Sequence, residues 1–568
     1  MKEKLYSIIQ EIANKMNLDS EGFVIEYPAD MKFGDYATNI AMVAGKSAGK
    51  NPRQLAEEIK EKILAKNISE IEAVEIAGPG FINISLSLMY FNEVLKEVLQ
   101  NPNNFGKNNI GNNKKVVVEY SSPNIAKPFS IGHLRSTIIG DAIANTLAFS
   151  GFDVVRDNHL GDWGTQFGKL TYAIKEWGDI NEIEKSDKKI KDLVALYVKF
   201  HDEAEKDKSL EDKGREFLLR LENDDKEIKD LWQKCIEWSK IEFDRIYKRL
   251  DVTFDTELGE SFFEDKMPSV IEELTKKGIA RESEGALAVF FDDEKYPPLL
   301  VRRSDGATLY ATRDLASDKY RKDTYGDDVI ILNEVGSEQM LHFRQLFETE
   351  KMLGWFSLGQ RVHIAHGMYR FKDGKMSTRK GNVIWLDDII DQAVNKAKEV
   401  TSAGNDKYDE KEKNEIAEKV AIGAIKFNDL KRESTKDIVF DWDEIMNLKG
   451  DTGPYIQYTL ARIKAIEKKA IEEGIEISEN IDEKNDLVKI LTRFPYYVEF
   501  SAKQYEVNHI ATYLLNLASS FNSYYGENII VDKDNKIKSS ERLALAKAVS
   551  VVLQNGMNLL GVPIIDRM

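Results

Sequence analysis

At 568 residues the chain exceeds what one hydrophobic core supports, so three or four domains are expected. Hydrophobic residues make up 42% and charged residues 31%, which excludes a disordered chain; no apolar run approaches the roughly 20 residues of a membrane helix, and a single cysteine, Cys235, excludes disulfide frameworks and cysteine-rich zinc sites. The formal net charge of −17 weighs against a broad basic nucleic-acid surface but leaves room for local basic faces.

The first residues, Met1-Lys2-Glu3-Lys4-Leu5, open an amphipathic helix through Leu5, Ile8, Ile9 and Ile12. It lacks the apolar middle of a signal peptide, so a cytoplasmic protein is expected. A loop at Phe33-Gly34-Asp35-Tyr36 precedes a further helix. Gly45-Lys46-Ser47 resembles part of a phosphate loop, but Ile40 stands where that motif requires glycine, so a surface turn is expected. Asn51 and Pro52 read as the cap and first residue of a helix through Leu55, Ile59 and Ile63. Gly78-Pro79-Gly80 turns into the alternating strand Phe81–Leu86. The Asn- and Gly-rich stretch from Asn101 to Asn113 reads as a linker, which makes residues 1–110 a small α+β domain.

Residues 111–440 alternate strands and helices. Val116-Val117-Val118-Glu119-Tyr120 suits a buried parallel strand. A loop and a helix follow, from about Ile131 to Ser150, with Gly151 just past its end. Val154-Val155, Ala288–Phe291, Val329–Leu332 and Val362–Ala365 supply further strands, the pattern of a doubly wound parallel sheet. Charge-rich sequence at about 180–250 reads as an inserted helical hairpin. Residues 441–568 show only helical periodicity, as at Leu514, Leu517, Ala518 and Phe521, so an all-α domain is expected. The seven histidines show no zinc spacing, and no structural metal is expected.

Two stretches carry chemistry. In Ser121-Ser122-Pro123-Asn124-Ile125-Ala126-Lys127-Pro128-Phe129-Ser130-Ile131-Gly132-His133, a buried strand leads through a loop into a helix N-terminus, where free N–H groups and the dipole favour an anion. Gly132 lets a ligand approach the backbone, and Lys127 and His133 add donors. After the last expected sheet strand, Asp373-Gly374-Lys375-Met376-Ser377-Thr378-Arg379-Lys380-Gly381 is a basic loop suited to neutralising departing phosphate.

These motifs, with Ala77–Ile82, Arg135–Asp141, Asn158–Gln166, Tyr310-Ala311-Thr312-Arg313-Asp314 and Asp451–Tyr458, resemble the arginyl-tRNA synthetases, a class I family, over essentially the whole chain. The resemblance implies a Rossmann-like catalytic domain at 111–440, an N-terminal domain at 1–110 that touches the tRNA elbow, and an anticodon-binding domain at 441–568. It implies arginine, ATP with Mg²⁺, and tRNA(Arg) as substrates, and a monomer. Catalysis is expected of Lys127, His133, Lys375 and Ser377. Ser130, Gly132, Met376 and Arg379 complete the ATP site; Glu119, Asn124, Tyr310, Asp314 and Gln339 hold arginine; Tyr455, Tyr458 and Met568 touch tRNA. The chain departs from the family pattern at Ser130, usually His, and at Thr378, usually Lys, where Lys127 is expected to substitute. Other class I synthetases share the Gly-His signature; the N-terminal domain and the Tyr310–Asp314 run set this chain apart from them.

Overall fold

The computed structural model describes residues 1–568 except 293–294, 305, 307–308, 372–383, 402–408, 568 and the side chain of Phe371. A strand that is apolar on both faces belongs in the middle of a covered parallel sheet. Val116, Val117 and Val118, all 0% exposed, lie there, in strand β1 (Lys115–Glu119). β1 pairs in parallel with β2 (Asp153–Asp157) on one side and β3 (Ile330–Gly336) on the other, and β4 (Arg361–His366) lies beyond β3. The chain therefore goes first to one side of β1 and later to the other. In doubly wound folds such a reversal, here between β1 and β3, marks the ligand-binding place at the carboxyl ends of the strands.

Helix α1 (Ile131–Phe149) connects β1 to β2 and is buried at 14 of its 19 residues. A Cβ at Gly140 would lie 2.2 Å from Cβ of Tyr120, so only glycine lets the helix come this close to the end of β1. Gly151, φ 84°, follows its end as the sequence implies. Helix α2 (Tyr310–Tyr325) precedes β3, and α3 (Met340–Leu353) links β3 to β4.

Three expectations need correction. Ala286–Val289 does not join the parallel sheet. It is the middle strand of an antiparallel meander with Ala280–Ser283 and Leu299–Arg302, because short local connections favour hairpin pairing over a crossover. The insertion is more than a hairpin: it comprises helices Ile180–Lys185, Lys189–Lys206, Ser209–Glu222 and Lys226–Leu250. Gly45-Lys46-Ser47 is the last turn of helix Ile40–Ser47, not a surface turn, and Gly45 is buried against Pro52.

Near the N-terminus, strands Ile25–Glu26, Tyr36–Thr38, Phe81–Leu86 and Ile71–Ala77 form an antiparallel sheet in that order. Asn51 caps helix Pro52–Leu64 by accepting from the amides of Arg53 and Gln54. The C-terminal part is built from long helices, including α4 (Glu410–Leu430), Gly453–Glu472, Asn508–Glu527 and Lys536–Leu559. A three-residue strand, Ile438–Phe440, pairs in parallel with Tyr369–Phe371, an element too short for periodicity to reveal.

Two buried charges tie α1 to α4. Arg135, 1% exposed, donates through Nε and Nη2 to Asp429 and through its Nη atoms to the carbonyls of Lys436 and Ser434; Asp429 also accepts from the Tyr369 hydroxyl at 2.7 Å. A buried guanidinium is tolerable only when its donors are used in this way. Lys426 is fully buried without a hydrogen-bond partner among the described residues. Desolvation lowers its pKa, and the charges of Asp141 and Asp251 oppose the shift. A Cβ at Gly561 would lie 2.8 Å from Asp141 Oδ2 and 2.9 Å from Lys426 Nζ, so the C-terminal segment closes over this pair.

Gly140→Ala should destabilise the chain by about 1–3 kcal/mol through overpacking against Tyr120. Gly526→Ala, where nothing lies within 4 Å, should leave the midpoint unchanged or slightly raised. Thermal unfolding of the two variants side by side checks the contrast.

Candidate active site

The loop from β1 to α1 holds three non-glycine residues at positive φ: Ser121 at 71°, Ser122 at 44° and Ala126 at 56°. Such backbone is costly and persists only when neighbours over-determine it. They do so here. The Ser121 amide donates to Ser136 Oγ at 2.9 Å, and Ser121 Oγ is 2.8 Å from both Thr137 Oγ1 and the Tyr247 hydroxyl. The Ser122 amide donates to Asn158 Oδ1, and the Ala126 amide to Ser239 Oγ at 2.9 Å. Asn124 is bridged to Gly161, where a Cβ would lie 2.5 Å from Asn124 Oδ1. Ser239 and Tyr247 come from helix Lys226–Leu250, so the charge-rich insertion returns a polar face to the loop. Its sequence signals only amphipathicity, and these contacts were not legible in it.

At the start of α1, Ser130 is the cap residue and Gly132 is exposed. The Ser130 amide donates to His133 Nδ1 at 3.1 Å, and Ser130 Oγ is 3.3 Å from the same nitrogen. With Nδ1 accepting, the ring proton lies on Nε2, which is left as a donor. Burial pushes the His133 pKa down to about 4; the Ser130 hydrogen bond opposes this and the Lys127 charge adds to it. The ring stacks on Phe129 at 5.2 Å. His133 is therefore a neutral, oriented N–H donor at neutral pH. Burial also lowers the pKa of the half-buried Lys127, with Glu260 opposing, and no carboxylate lies within ion-pair distance of it among the described residues. A helix N-terminus, an oriented imidazole N–H and an ammonium with no ion-pair partner among the described residues are together suited to an anion.

Lys375, Met376, Ser377 and Arg379 lie outside the described residues. The chain beyond them is fastened to the first motif: the Ile131 amide donates to the Ile384 carbonyl at 3.3 Å, and the Leu386 amide to the Phe129 carbonyl at 3.0 Å. Among the described residues no group of three His, Cys, Asp or Glu side chains could hold a metal ion.

Glu119 ends β1 at the carboxyl edge of the sheet and is 8% exposed. Its Oε2 lies 2.5 Å from Arg321 Nη2 and accepts from Asn333 Nδ2 at 3.0 Å. Asp314 lies one helical turn from Tyr310 and two from Arg321, so all three share a face of α2. Asp314 Oδ2 is 2.6 Å from His342 Nε2, at the start of α3. Burial pulls the His342 pKa down, but the hydrogen bond and charge of Asp314 outweigh it and the net shift is upward. Tyr310 is 71% exposed, and Gln339 ends the turn Ser337–Gln339, also exposed. The candidate arginine residues thus come from β1, the loop after it, α2 and the entry to α3. Arg321, Asn333 and His342 contact these candidates but stand in none of the motifs; the two-turn spacing of Arg321 from Asp314 is the one sign of it in the sequence.

In the C-terminal helices, Tyr458 is 38% exposed with the Arg462 guanidinium 4.8 Å from its ring centre. The Tyr455 hydroxyl accepts from Asn522 at 3.0 Å. Met568 lies outside the described residues.

The family model described as "tRNA synthetases class I (R), catalytic domain" matches residues 94–442. The arginyl-tRNA synthetase N-terminal domain matches 1–86, and the DALR anticodon binding domain matches 456–568. The arginine–tRNA ligase of Clostridium botulinum is 41% identical over 575 residues, covering 100% of both chains; that of Fusobacterium nucleatum is 43% identical over 544 residues, covering 94% of each. Among solved structures, arginyl-tRNA synthetase from Plasmodium falciparum superposes with a TM-score of 0.83 at 27% identity, over 100% of this chain and 99% of that one. The Thermus thermophilus enzyme gives a TM-score of 0.84 at 22% identity, over 100% of both chains, a likeness of fold. With its three parts matched in order and relatives aligned end to end, this chain belongs to the arginyl-tRNA synthetases, class I aminoacyl-tRNA synthetases.

Proposed function

We propose that the chain joins L-arginine to tRNA(Arg) at the carboxyl ends of β1 and β3, and that the anion site at the start of α1 is where ATP is activated. The arginine carboxylate attacks the α-phosphorus of ATP, pyrophosphate leaves, and arginyl-adenylate forms. The 2′-hydroxyl of the terminal tRNA ribose then attacks the arginyl carbonyl and AMP leaves. Positioning and charge stabilisation suffice for the first step, since the protein forms no covalent bond. His133 donates Nε2–H to a phosphate oxygen, Lys127 supplies charge, and the amides around Gly132 cradle the anion. Lys375, Met376, Ser377 and Arg379 complete the phosphate side. ATP would enter as its Mg²⁺ complex, the metal supplying charge neutralisation to the phosphates.

The guanidinium of arginine never deprotonates and offers five planar donors, so its recognition requires carboxylates. Glu119 and Asp314 take this role, and Asn124, Tyr310 and Gln339 complete the amino-acid site. The exposed Tyr458 with Arg462 beside it offers a stacking platform for an unpaired anticodon base. Tyr455 and Met568 are assigned to the same interface, residues 1–110 to the tRNA elbow, 111–440 to catalysis and 441–568 to the anticodon. We assign a cytoplasmic monomer; among the described residues no helix is long and apolar enough to cross a membrane. The observation that carries this reading is the fixed tautomer of His133, on the helix that follows Glu119, near a Lys127 with no ion-pair partner among the described residues.

ATP–pyrophosphate exchange, measured with each amino acid and with and without tRNA, tests the assignment. Exchange should require arginine, and His133→Ala should lower kcat about 10²–10³-fold. Exchange with a different amino acid, or with none, overturns it. A second prediction concerns pH. Unfolded, His133 takes a proton near pH 6.5, but folded only near 4. Between these values the unfolded state binds more protons, so the stability due to neutral His133 is complete above pH 6.5 and is lost as pH falls towards 4. His133→Gln should flatten that part of the stability–pH curve, measured by denaturant unfolding from pH 4 to 8.

A further inference from the structure

The Glu119 carboxylate is occupied unequally. Oε2 meets Arg321 at 2.5 Å and Asn333 at 3.0 Å, whereas Oε1 has no hydrogen-bond partner among the described residues and is not sealed from solvent. Arg321 is held from the far side as well. Its Nε and Nη2 donate to Asp157 Oδ2 at 3.0 and 2.7 Å, and Nη1 donates to Asp318 Oδ1 at 3.0 Å. The chain of charges continues away from the site, from Asp318 to Arg361 at 2.5 Å and from Arg361 to Glu350 at 2.7 Å. Arg321, Asp318, Arg361 and Glu350 have side chains at most 4% exposed. Thr256 fixes the other oxygen of Asp157 at 2.5 Å.

We infer that Arg321 and Asn333 are positioning residues for amino-acid selection: they engage one oxygen of Glu119 and present the other to the guanidinium of the substrate. The inference rests on the proposed role of Glu119. A carboxylate free to rotate offers two equivalent oxygens in many orientations, whereas one pinned at Oε2 offers a single oxygen in a fixed plane. The planar fork of Arg321 is suited to this, since it meets three carboxylates at once from a rigid frame. The protein's own guanidinium thus lies against Glu119 before any substrate arrives. The substrate then adds a second guanidinium to the same acid from the open side.

The test compares full-length Arg321→Lys, Asn333→Ala and Glu119→Gln in arginine-dependent ATP–pyrophosphate exchange with tRNA present, with folding checked by thermal unfolding. Arg321→Lys keeps a cation but loses the fork; by analogy with outer-shell partners of metal ligands, the KM for arginine should rise about 10–100-fold, while the KM for ATP changes by less than about twofold. Asn333→Ala should shift the arginine KM in the same direction by about threefold or more, the loss of one net hydrogen bond. An unchanged arginine KM in Arg321→Lys overturns the inference, as does an equal change in both KM values and kcat, the mark of a merely structural role. If Arg321→Lys does not fold, Asn333→Ala decides, and an unchanged arginine KM there overturns it. Glu119→Gln separates the two layers. If it leaves the arginine KM unmoved, the site reading fails; if it raises the arginine KM while the other variants do not, only the positioning role falls.

Discussion

Helix α1 is buried on nearly every side, yet it has Arg135 and Asp141 in its middle and begins at the proposed reaction centre. Such a helix can exist only if its charges are satisfied by other parts of the chain, because a buried ion without partners costs several kcal/mol. The partners come from α4 and the segment after it, roughly 300 residues away in sequence. The approach of α1 to the sheet, set by Gly140 against Tyr120, fixes where its first turn points. The anion site, the strained loop before it and the packing of the C-terminal helices all depend on this placement.

Much of the candidate site is legible because it is local. A strand, a loop and a helix start within one stretch of sequence name Glu119, Asn124, Lys127, Gly132 and His133 together, and cap chemistry marked Asn51, Pro52 and Gly151. The unread part is non-local. Ser239 and Tyr247 hold the loop from a helix whose sequence looks like a solvated insertion, and Arg321 and Asn333 act through a carboxylate some two hundred positions earlier. Apolar runs alone also could not say which sheet Ala286–Val289 joins, since a buried strand reads the same in either.

In the sequence Ser130 is the irregular member of its motif. Its backbone amide is the group that fixes the His133 tautomer, and an amide is present whatever the side chain. The hydroxyl adds a contact at 3.3 Å to the same nitrogen. The family's usual residue at this position is therefore not needed to set the ring proton, and the departure touches what position 130 itself offers a ligand.

The burial of α1 has a mechanical side. From Asp141 to His133 is eight residues, or about 12 Å of rigid helix. At one end Gly561 lies against Asp141 and Lys426; at the other is His133, in the proposed phosphate site. A close-packed rod of this kind does not absorb displacement along its length. The Arg135–Asp429 pairing lies between these two ends, so the C-terminal segment and the proposed phosphate site bear on one helix.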